Sequence, residues 1–385
     1  MSTKIALPRY ARIGAGAVND LGEIVQNLGS RRPAVITDAY LAGNGQADRV
    51  MTLLRTAGAR PVLFSETVPD PTTDSLDAAL EVIRDHGADA VIGFGGGSPM
   101  DSAKALAVLV NNGGQMHDYR APRNYAGPAL PIIAIPTTAG SGSEATQFTV
   151  ITDTATDEKM LCPGLSFLPV AAIVDFELTM SMPPRLTADT GVDALTHAVE
   201  ACVSRKANPV SDAFALTAIK TISANLRRAY HDGTDRVARE AMMVAATQGG
   251  MAFSNSSVAL VHGMSRPIGA HFHVAHGLSN AMLFPAVTAF SVHAAPRRYA
   301  ECARAYGIPA EGGDELIAER FVDELASLCE ELAVPTPRTY GIDKSAWEDR
   351  IPMMAQQALD SGSPANNPVV PTKEQIQAIY TEIYG

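Results

Sequence analysis

Up to about residue 180 short β-branched or apolar runs alternate with amphipathic helical stretches, and beyond that point the alternation stops. The runs are PAVIT at 33 to 37, ARPVLF at 59 to 64, ADAVIGF at 88 to 94, LPIIAIP at 130 to 136 and AAIVD at 171 to 175. Strands joined through helices pair in parallel, so this rhythm predicts a mainly parallel sheet covered by helices. From MPPRLT onward helical segments follow one another, among them ADTGVDALTHAVEACVS and PVSDAFALTAIKTISANLRRAY, with no strand signal of comparable strength. The tandem prolines Pro183 and Pro184 interrupt what precedes them. The expectation is an α/β domain over residues 1–180 and an all-helical domain over residues 181–385. Two domains with a cleft between them also suit a chain beyond the size at which one hydrophobic core stops growing.

A formal net charge of -11 leaves no basic stripe to displace counterions from phosphates, so a nucleic-acid partner is not expected. No apolar run reaches the ~18 residues that span a bilayer, and the start MSTKIALPRYARIG lacks the succession of a signal peptide. A cytoplasmic protein without a membrane partner is the expectation. Cys162, Cys202, Cys302 and Cys329 are scattered without a C-x-x-C pair and read as buried, reduced thiols.

In ADAVIGFGGGSPMDSAKALAVLV an apolar strand runs into Gly95, Gly96 and Gly97 and then into a helix. Ser98 suits a helix cap, Pro99 the first helical position and Asp101 the acid of a capping box. Glycines let an anion approach the backbone while the positive end of the helix faces it, so a pyrophosphate would fit. The turn is neither a P-loop nor a G-x-G-x-x-G fingerprint and does not name the nucleotide. A second strand, LPIIAIP, ends in TTAGSGSEAT at 137 to 146, which includes Thr137, Thr138 and Ser141. Ligands of open α/β sheets bind at that edge, and two such loops together point to a dinucleotide.

The segment VHGMSRPIGAHFHVAHG, 261 to 277, holds His262, His271, His273 and His276 in a chain with 9 histidines. In TGVDALTHAVEA, Asp193 and His197 stand four residues apart on one helical face, a two-ligand platform for a metal. On one straight helix His262 and His276 would lie ~21 Å apart, so the chain must turn back between them, and Pro267 and Gly269 can break the helix. Spacing alone does not choose which two of the four histidines complete an Asp/His site.

GGGSPMDSAK, PTTAGSGSE, GVDALTHAVEA and HGMSRPIGAHFHVAHG, taken in this order over nearly the whole chain, resemble the iron-containing (group III) alcohol dehydrogenases. The resemblance implies an N-terminal dinucleotide-binding domain, an all-α C-terminal domain, the architecture shared with dehydroquinate synthase, and a divalent metal in the cleft. It implies Asp193, His197, His262 and His276 as metal ligands, which leaves His271 and His273 as packing or outer candidates. It places Gly96, Gly97 and Ser98 on the pyrophosphate, Thr137, Thr138 and Lys159 toward the nicotinamide, and Asp38 near the adenosine ribose. A carboxylate there would repel a 2′-phosphate, so NAD is expected over NADP. Asp38 precedes the Gly-rich turn, whereas the standard fingerprint places such an acid after it, and a strand-end Asp also caps turns.

One aspartate and three histidines suit Fe²⁺ or Zn²⁺, and the family name points to iron. The expected enzyme is an NAD-dependent alcohol dehydrogenase in which the metal polarises a carbonyl for hydride transfer. Family likeness implies a homo-oligomer, a dimer or larger. Rival readings are a metal- and NAD-using lyase or cyclase of the dehydroquinate synthase type and a non-catalytic nucleotide- or metal-binding module. Arg266 stands where many family members carry a further histidine, one turn beyond His262. Its planar fork matches a carboxylate, so a substrate bearing an anionic group is one expectation, with pairing to Glu200 or Asp193 as the other.

Overall fold

The computed structural model describes residues 3–385 and separates into two compact units, one of Ala6–Ser181 and one of Met182–Gly385 together with the described N-terminal tip. In the first unit a parallel sheet contains β1 (Tyr10–Ile13), β2 (Pro33–Ile36), β3 (Val62–Phe64), β4 (Ala90–Gly95), β5 (Ile132–Pro136) and, later in the chain, β8 (Ala171–Val174). Its order is β1-β8-β5-β4-β2-β3, with every pairing parallel. Between β5 and β8 the chain forms an antiparallel hairpin, β6 (Phe148–Asp153) with β7 (Glu158–Pro163).

The five apolar runs of the sequence are β2, β3, β4, β5 and β8. Neither β1 nor the hairpin is among the strands expected from the sequence. The four residues YARI form a half-exposed edge strand, and β6 alternates buried with partly exposed positions, so neither carries a continuous apolar run. In the central strands both faces are covered. Ala34, Ile36 and Val91 join one buried cluster, while Val35, Ile92 and Phe94 join another on the opposite face. Each of the Val, Ile and Phe side chains among them, removed from water, contributes on the order of 1.5 to 3 kcal/mol. From β2 the chain passes outward to β3, and from β4 it passes the other way to β5. The carboxyl ends of β2 and β4 therefore flank the point where the winding reverses, the place at which open α/β sheets bind ligands.

Helices of this unit include α1 (Leu21–Asn27), α2 (Ala39–Gly43), α3 (Gln46–Thr56), α4 (Asp77–His86) and α5 (Gly97–Asn112). The second unit has no strand among the described residues. It comprises α6 (Pro184–Val203), α7 (Pro209–His231), α8 (Arg236–Ser254), α9 (Leu260–Phe272), α10 (His276–Val292), α11 (Pro296–Tyr306), α12 (Asp314–Glu331), α13 (Pro337–Tyr340), α14 (Lys344–Asp360) and α15 (Lys373–Glu382). A parallel α/β unit followed by an all-α unit is the fold class expected. Among the described residues no helix is long and apolar enough to cross a membrane. All four cysteines are free and buried.

Pro184 opens α6, where its missing N–H has no intrahelical partner to lose. From Val192 to Val203 every residue of α6 is buried, so this helix is packed on all sides and its polar residues must be satisfied within the protein. Those polar residues include Asp193, Thr196, His197 and Glu200.

Candidate functional site

In α6, Asp193 and His197 are one turn apart and both buried. They meet His262 of α9 and His276 at the first position of α10, and one potential ligand atom from each of the four residues lies within 4.8 Å of the others. Asp193 Oδ1 is 3.5 Å from His262 Nε2 and 3.9 Å from both His197 Nε2 and His276 Nε2. In a tetrahedral site with bonds near 2.05 Å, neighbouring donors lie about 3.4 Å apart, so this set needs little contraction to surround one ion.

Local packing explains the convergence. The helix α9 runs through Pro267 and ends only at Phe272, contrary to the expected break at Pro267 and Gly269. A buried proline bends a helix without stopping it when tertiary contacts hold both sides. The reversal comes at His273, which sits in the left-handed region (φ 54°) and donates its backbone N–H to Gly269 O at 3.1 Å. After Val274 and Ala275 the chain re-enters helix at His276. A Cβ on Gly277 would stand 2.6 Å from the Asp189 carbonyl oxygen, so only glycine permits this close approach of α10 to α6.

Glu200, two turns of α6 beyond Asp193, orders the site. Its Oε2 lies 2.6 Å from His262 Nδ1, and its Oε1 accepts from the Val261 N–H at 2.6 Å. The first contact places the proton on Nδ1 and turns the Nε2 lone pair toward the other ligands. The second satisfies an orphan N–H in the first turn of α9. Burial disfavours a charged His262, but Glu200 and Asp193 outweigh it and push this histidine up to about 9. Burial likewise raises Asp193, yet the adjacent His197, His276 and His262 hold it well below the usual carboxylate range. The rings of His197 and His262 stack at 4.4 Å, and Phe253 stacks on His197 at 4.3 Å, fixing their orientation.

Asn280, one turn beyond His276, also reaches the cluster. Its Nδ2 donates to Asp193 Oδ1 at 2.6 Å and lies 3.1 Å from His262 Nε2 and 3.3 Å from His276 Nε2. The remaining histidines of the motif stand apart from the four. His271 Nε2 lies 2.8 Å from Gln357 Oε1 of α14, and His273 is exposed at the helix end. Arg266 is buried and donates from Nη1 to Ser363 Oγ at 3.0 Å, and its charge is favoured by the Glu200 carboxylate. Burial lowers it to about 10.

In the first unit the two glycine- and threonine-bearing loops face each other. A Cβ on Gly96 would come within 3.6 Å of Thr138 Cγ2, and one on Gly97 within 3.5 Å of Ser141 Cβ. At Gly95, φ is +149° and a Cβ would stand 2.6 Å from Pro99 Cγ, so the turn requires glycine there. The Thr137 N–H is bonded to Gly95 O at 3.0 Å, tying the loops together. The sequence expectation for the helix start needs correction. The helix α5 begins at Gly97 with Gly96 as its cap residue, so Ser98 lies inside the first turn and accepts from the Asp70 N–H at 3.2 Å. Asp101 forms no capping box. Its carboxylate instead accepts from Ser143 Oγ at 2.8 Å and from the Val150 N–H at 2.9 Å, holding the second loop and the hairpin against α5.

Lys159 is paired with Asp70 at 2.8 Å. Asp38, at the end of β2, caps α2 by accepting from the Leu41 N–H at 2.9 Å. Glu200, Asn280 and Lys104 are not among the site residues expected from the sequence, apart from Glu200 as a partner for Arg266. Lys104 is fully buried and donates to Thr146 Oγ1 at 2.9 Å, Thr146 O at 3.2 Å and Phe148 O at 2.8 Å. It braces the same second loop from below. The one available signal was spacing: Glu200 and Asn280 lie one helical turn from His197 and His276.

Residues 8–176 match the iron-containing alcohol dehydrogenases, and residues 187–384 match the C-terminal part of the Fe-containing alcohol dehydrogenase family. The chain is 35% identical over 378 residues to an NAD-dependent methanol dehydrogenase of Bacillus methanolicus, covering 98% of each protein. A crystal structure of 1,3-propanediol oxidoreductase superposes with a TM-score of 0.95 at 34% identity over 100% of both chains. Sulfoacetaldehyde reductase from Bifidobacterium kashiwanohense, solved in complex with NAD+, superposes with a TM-score of 0.88 at 28% identity, covering 100% of this chain and 99% of that one. The chain belongs to the iron-containing alcohol dehydrogenase family. It is a metal-dependent, NAD(H)-linked oxidoreductase of a small alcohol or aldehyde.

Proposed function

We propose that Asp193, His197, His262 and His276 hold one divalent ion, Fe²⁺ with Zn²⁺ as the alternative, and that the helical unit, residues 181–385, carries the catalytic site. The observation that carries this reading is the convergence of four buried or partly buried donors within 4.8 Å. Three imidazoles and one carboxylate are borderline-hard and match either ion. Bound there, the ion supplies Lewis acidity toward a carbonyl or alcohol oxygen. The chain's own residues do the rest: Glu200 fixes the His262 tautomer, and Phe253 holds the His197 ring.

The α/β unit, residues 1–180, is read as the NAD site. Gly95, Gly96, Gly97 and Ser98 offer backbone N–H groups and a hydroxyl to the pyrophosphate, with the α5 N-terminus behind them. Thr137, Thr138, Ser141 and Lys159 are assigned to the nicotinamide side, and Asp101 positions their loop through Ser143. Asp38 is assigned to the ribose, with NAD preferred over NADP. A cytoplasmic homo-oligomer, a dimer or larger, with no nucleic-acid partner completes the reading.

The substrate is read as a short-chain aldehyde or ketone and its alcohol, in line with relatives named for methanol and 1,3-propanediol. A second reading, an anionic substrate group met by Arg266, has its own observation. This guanidinium has five N–H donors and makes one hydrogen bond among the described residues. A panel of aldehydes with NADH and alcohols with NAD, assayed with Fe²⁺ or Zn²⁺ added, tests the activity. Metal-dependent, stoichiometric nicotinamide turnover is expected, whereas catalysis without net NADH change would return the lyase reading.

A further inference from the structure

Asp70 links two residues that stand on different parts of the α/β unit. Its backbone N–H donates to Ser98 Oγ in the Gly-rich turn at 3.2 Å, and its Oδ1 lies 2.8 Å from Lys159 Nζ on β7. It makes both contacts from a strained position. With φ at 50° and Pro71 next in the chain, its backbone occupies a region that few non-glycine residues adopt. Such strain persists where the surroundings over-determine it, and it clusters at functional sites. Here β6 holds the segment in place. The Thr152 N–H donates to Pro71 O at 2.8 Å, Thr152 O accepts from the Thr73 N–H at 2.9 Å, and Thr152 is the register partner of Lys159.

We propose that Asp70 is a positioning residue that sets how tightly NAD(H) is held. The proposal rests on the reading of the α/β unit as the NAD site and deepens it. The backbone and the side chain of Asp70 act in opposite directions. Because Ser98 Oγ accepts from the Asp70 N–H, its own proton is left to donate to a pyrophosphate oxygen, which favours binding. The Asp70 carboxylate, in contrast, offsets the charge of Lys159, whose side chain is almost wholly buried, and so cancels attraction that this ammonium alone would exert on the phosphates. The offset has a use. A dehydrogenase exchanges its cofactor at each turnover, and most differences in affinity are differences in the rate of release.

The test titrates NADH by fluorescence on wild type, Asp70→Asn, Lys159→Met and the double variant, at low and at high salt, with melting temperature as the check on folding. Asparagine tolerates the left-handed backbone and keeps the N–H to Ser98, so Asp70→Asn removes the charge alone. It should bind NADH about tenfold more tightly than wild type at low salt, the effect of one partly screened charge, and the gain should shrink at high salt. Lys159→Met should bind less tightly, and adding Asp70→Asn to it should restore part of the loss. A residue that only held the loop in shape would weaken binding when changed. A folded Asp70→Asn with unchanged or weaker affinity therefore overturns the proposal, as does a double variant no tighter than Lys159→Met. Should Asp70→Asn fail to fold, Asp70→Gly, which also suits this φ, is read by the same criterion. A wild type that binds no NADH removes the cofactor reading itself, whereas a wild type that binds it beside an unresponsive Asp70→Asn removes only the role given to Asp70.

Discussion

The Glu200 carboxylate and the His262 imidazole are joined at 2.6 Å inside the helical unit, both almost wholly buried. The pair decides which nitrogen of His262 is free, because a proton held on Nδ1 leaves the Nε2 lone pair to bind an ion beside Asp193. Outer partners of ligating histidines are worth roughly ten- to a hundredfold in metal affinity. Glu200→Gln is therefore expected to weaken metal binding by that factor with all four ligands intact. Chelator competition reads it, and an affinity equal to wild type would show that the pair does not orient the ligand.

What the sequence made legible follows from how local each signal is. The central strands β2, β4 and β5 are buried on both faces and so read as unbroken apolar runs, and the two glycine- and threonine-bearing loops follow directly from β4 and β5. The pair Asp193 and His197 was visible because one helix turn relates them. The choice of His262 and His276 over His271 and His273 was not visible in spacing, since it depends on a reversal at His273, whose left-handed backbone leaves no compositional mark. Glu200 and Asn280 stayed hidden for a related reason. Each reads as an ordinary helical residue until a neighbouring helix shows what it faces.

The ligand assignment separates His197 from His273. His197 is buried in α6 with its Nε2 3.9 Å from Asp193 Oδ1, whereas His273 is exposed at the end of α9. His197→Ala is expected to lose bound metal and activity together while remaining folded, and His273→Ala to keep most of both. Metal analysis with circular dichroism on the two purified variants decides it: full occupancy in His197→Ala sinks the assigned set.

Lys104 gives the protein a stability term that changes with pH. Burial lowers it from 10.5 to about 8, although Asp101 and Glu144 oppose the shift. Below pH 8 both folded and unfolded chains hold the proton, and between about 8 and 10.5 the unfolded chain holds a proton that the folded chain has shed. The sign is therefore a gain in stability as pH rises through that window, approaching about 1.4 kcal/mol per pH unit. Denaturant unfolding of wild type and Lys104→Met at pH 7 and pH 9.5 should show the difference moving in favour of wild type at the higher pH. A constant difference would place the Lys104 titration outside this range.

Asp38 is offered two tasks by its position. It caps α2 through the Leu41 N–H, and it ends the strand beside the Gly-rich turn. Asp38→Asn retains a capping side chain while removing the charge. The preference for NAD over NADP should then narrow roughly tenfold, the size of a repulsion of about 1 to 2 kcal/mol between partly exposed charges. Kinetics with both cofactors measure it. A wild type that uses NADH and NADPH equally, or a variant with an unchanged ratio, leaves Asp38 with the cap alone.

Arg266 follows His262 by one turn of α9 and carries a permanent charge into a buried position. Its bond to Ser363 Oγ uses one of five donors, and Glu200 supplies opposing charge. Two consequences can be told apart. If the free edge of the guanidinium receives a substrate carboxylate or sulfonate, wild type should favour succinic semialdehyde over butanal in kcat/KM. Arg266→His should then cut that ratio about ten- to a hundredfold, since a charged hydrogen bond contributes on the order of 1.5 to 3 kcal/mol. If instead Arg266 only balances Glu200, the same substitution should leave the ratio of the two aldehydes alone and weaken metal binding through His262. The paired measurement, substrate ratio and metal affinity on one variant, assigns the residue. A wild type that prefers butanal refutes the anionic substrate directly, and the charge of Arg266 is then spent within the protein, on Glu200.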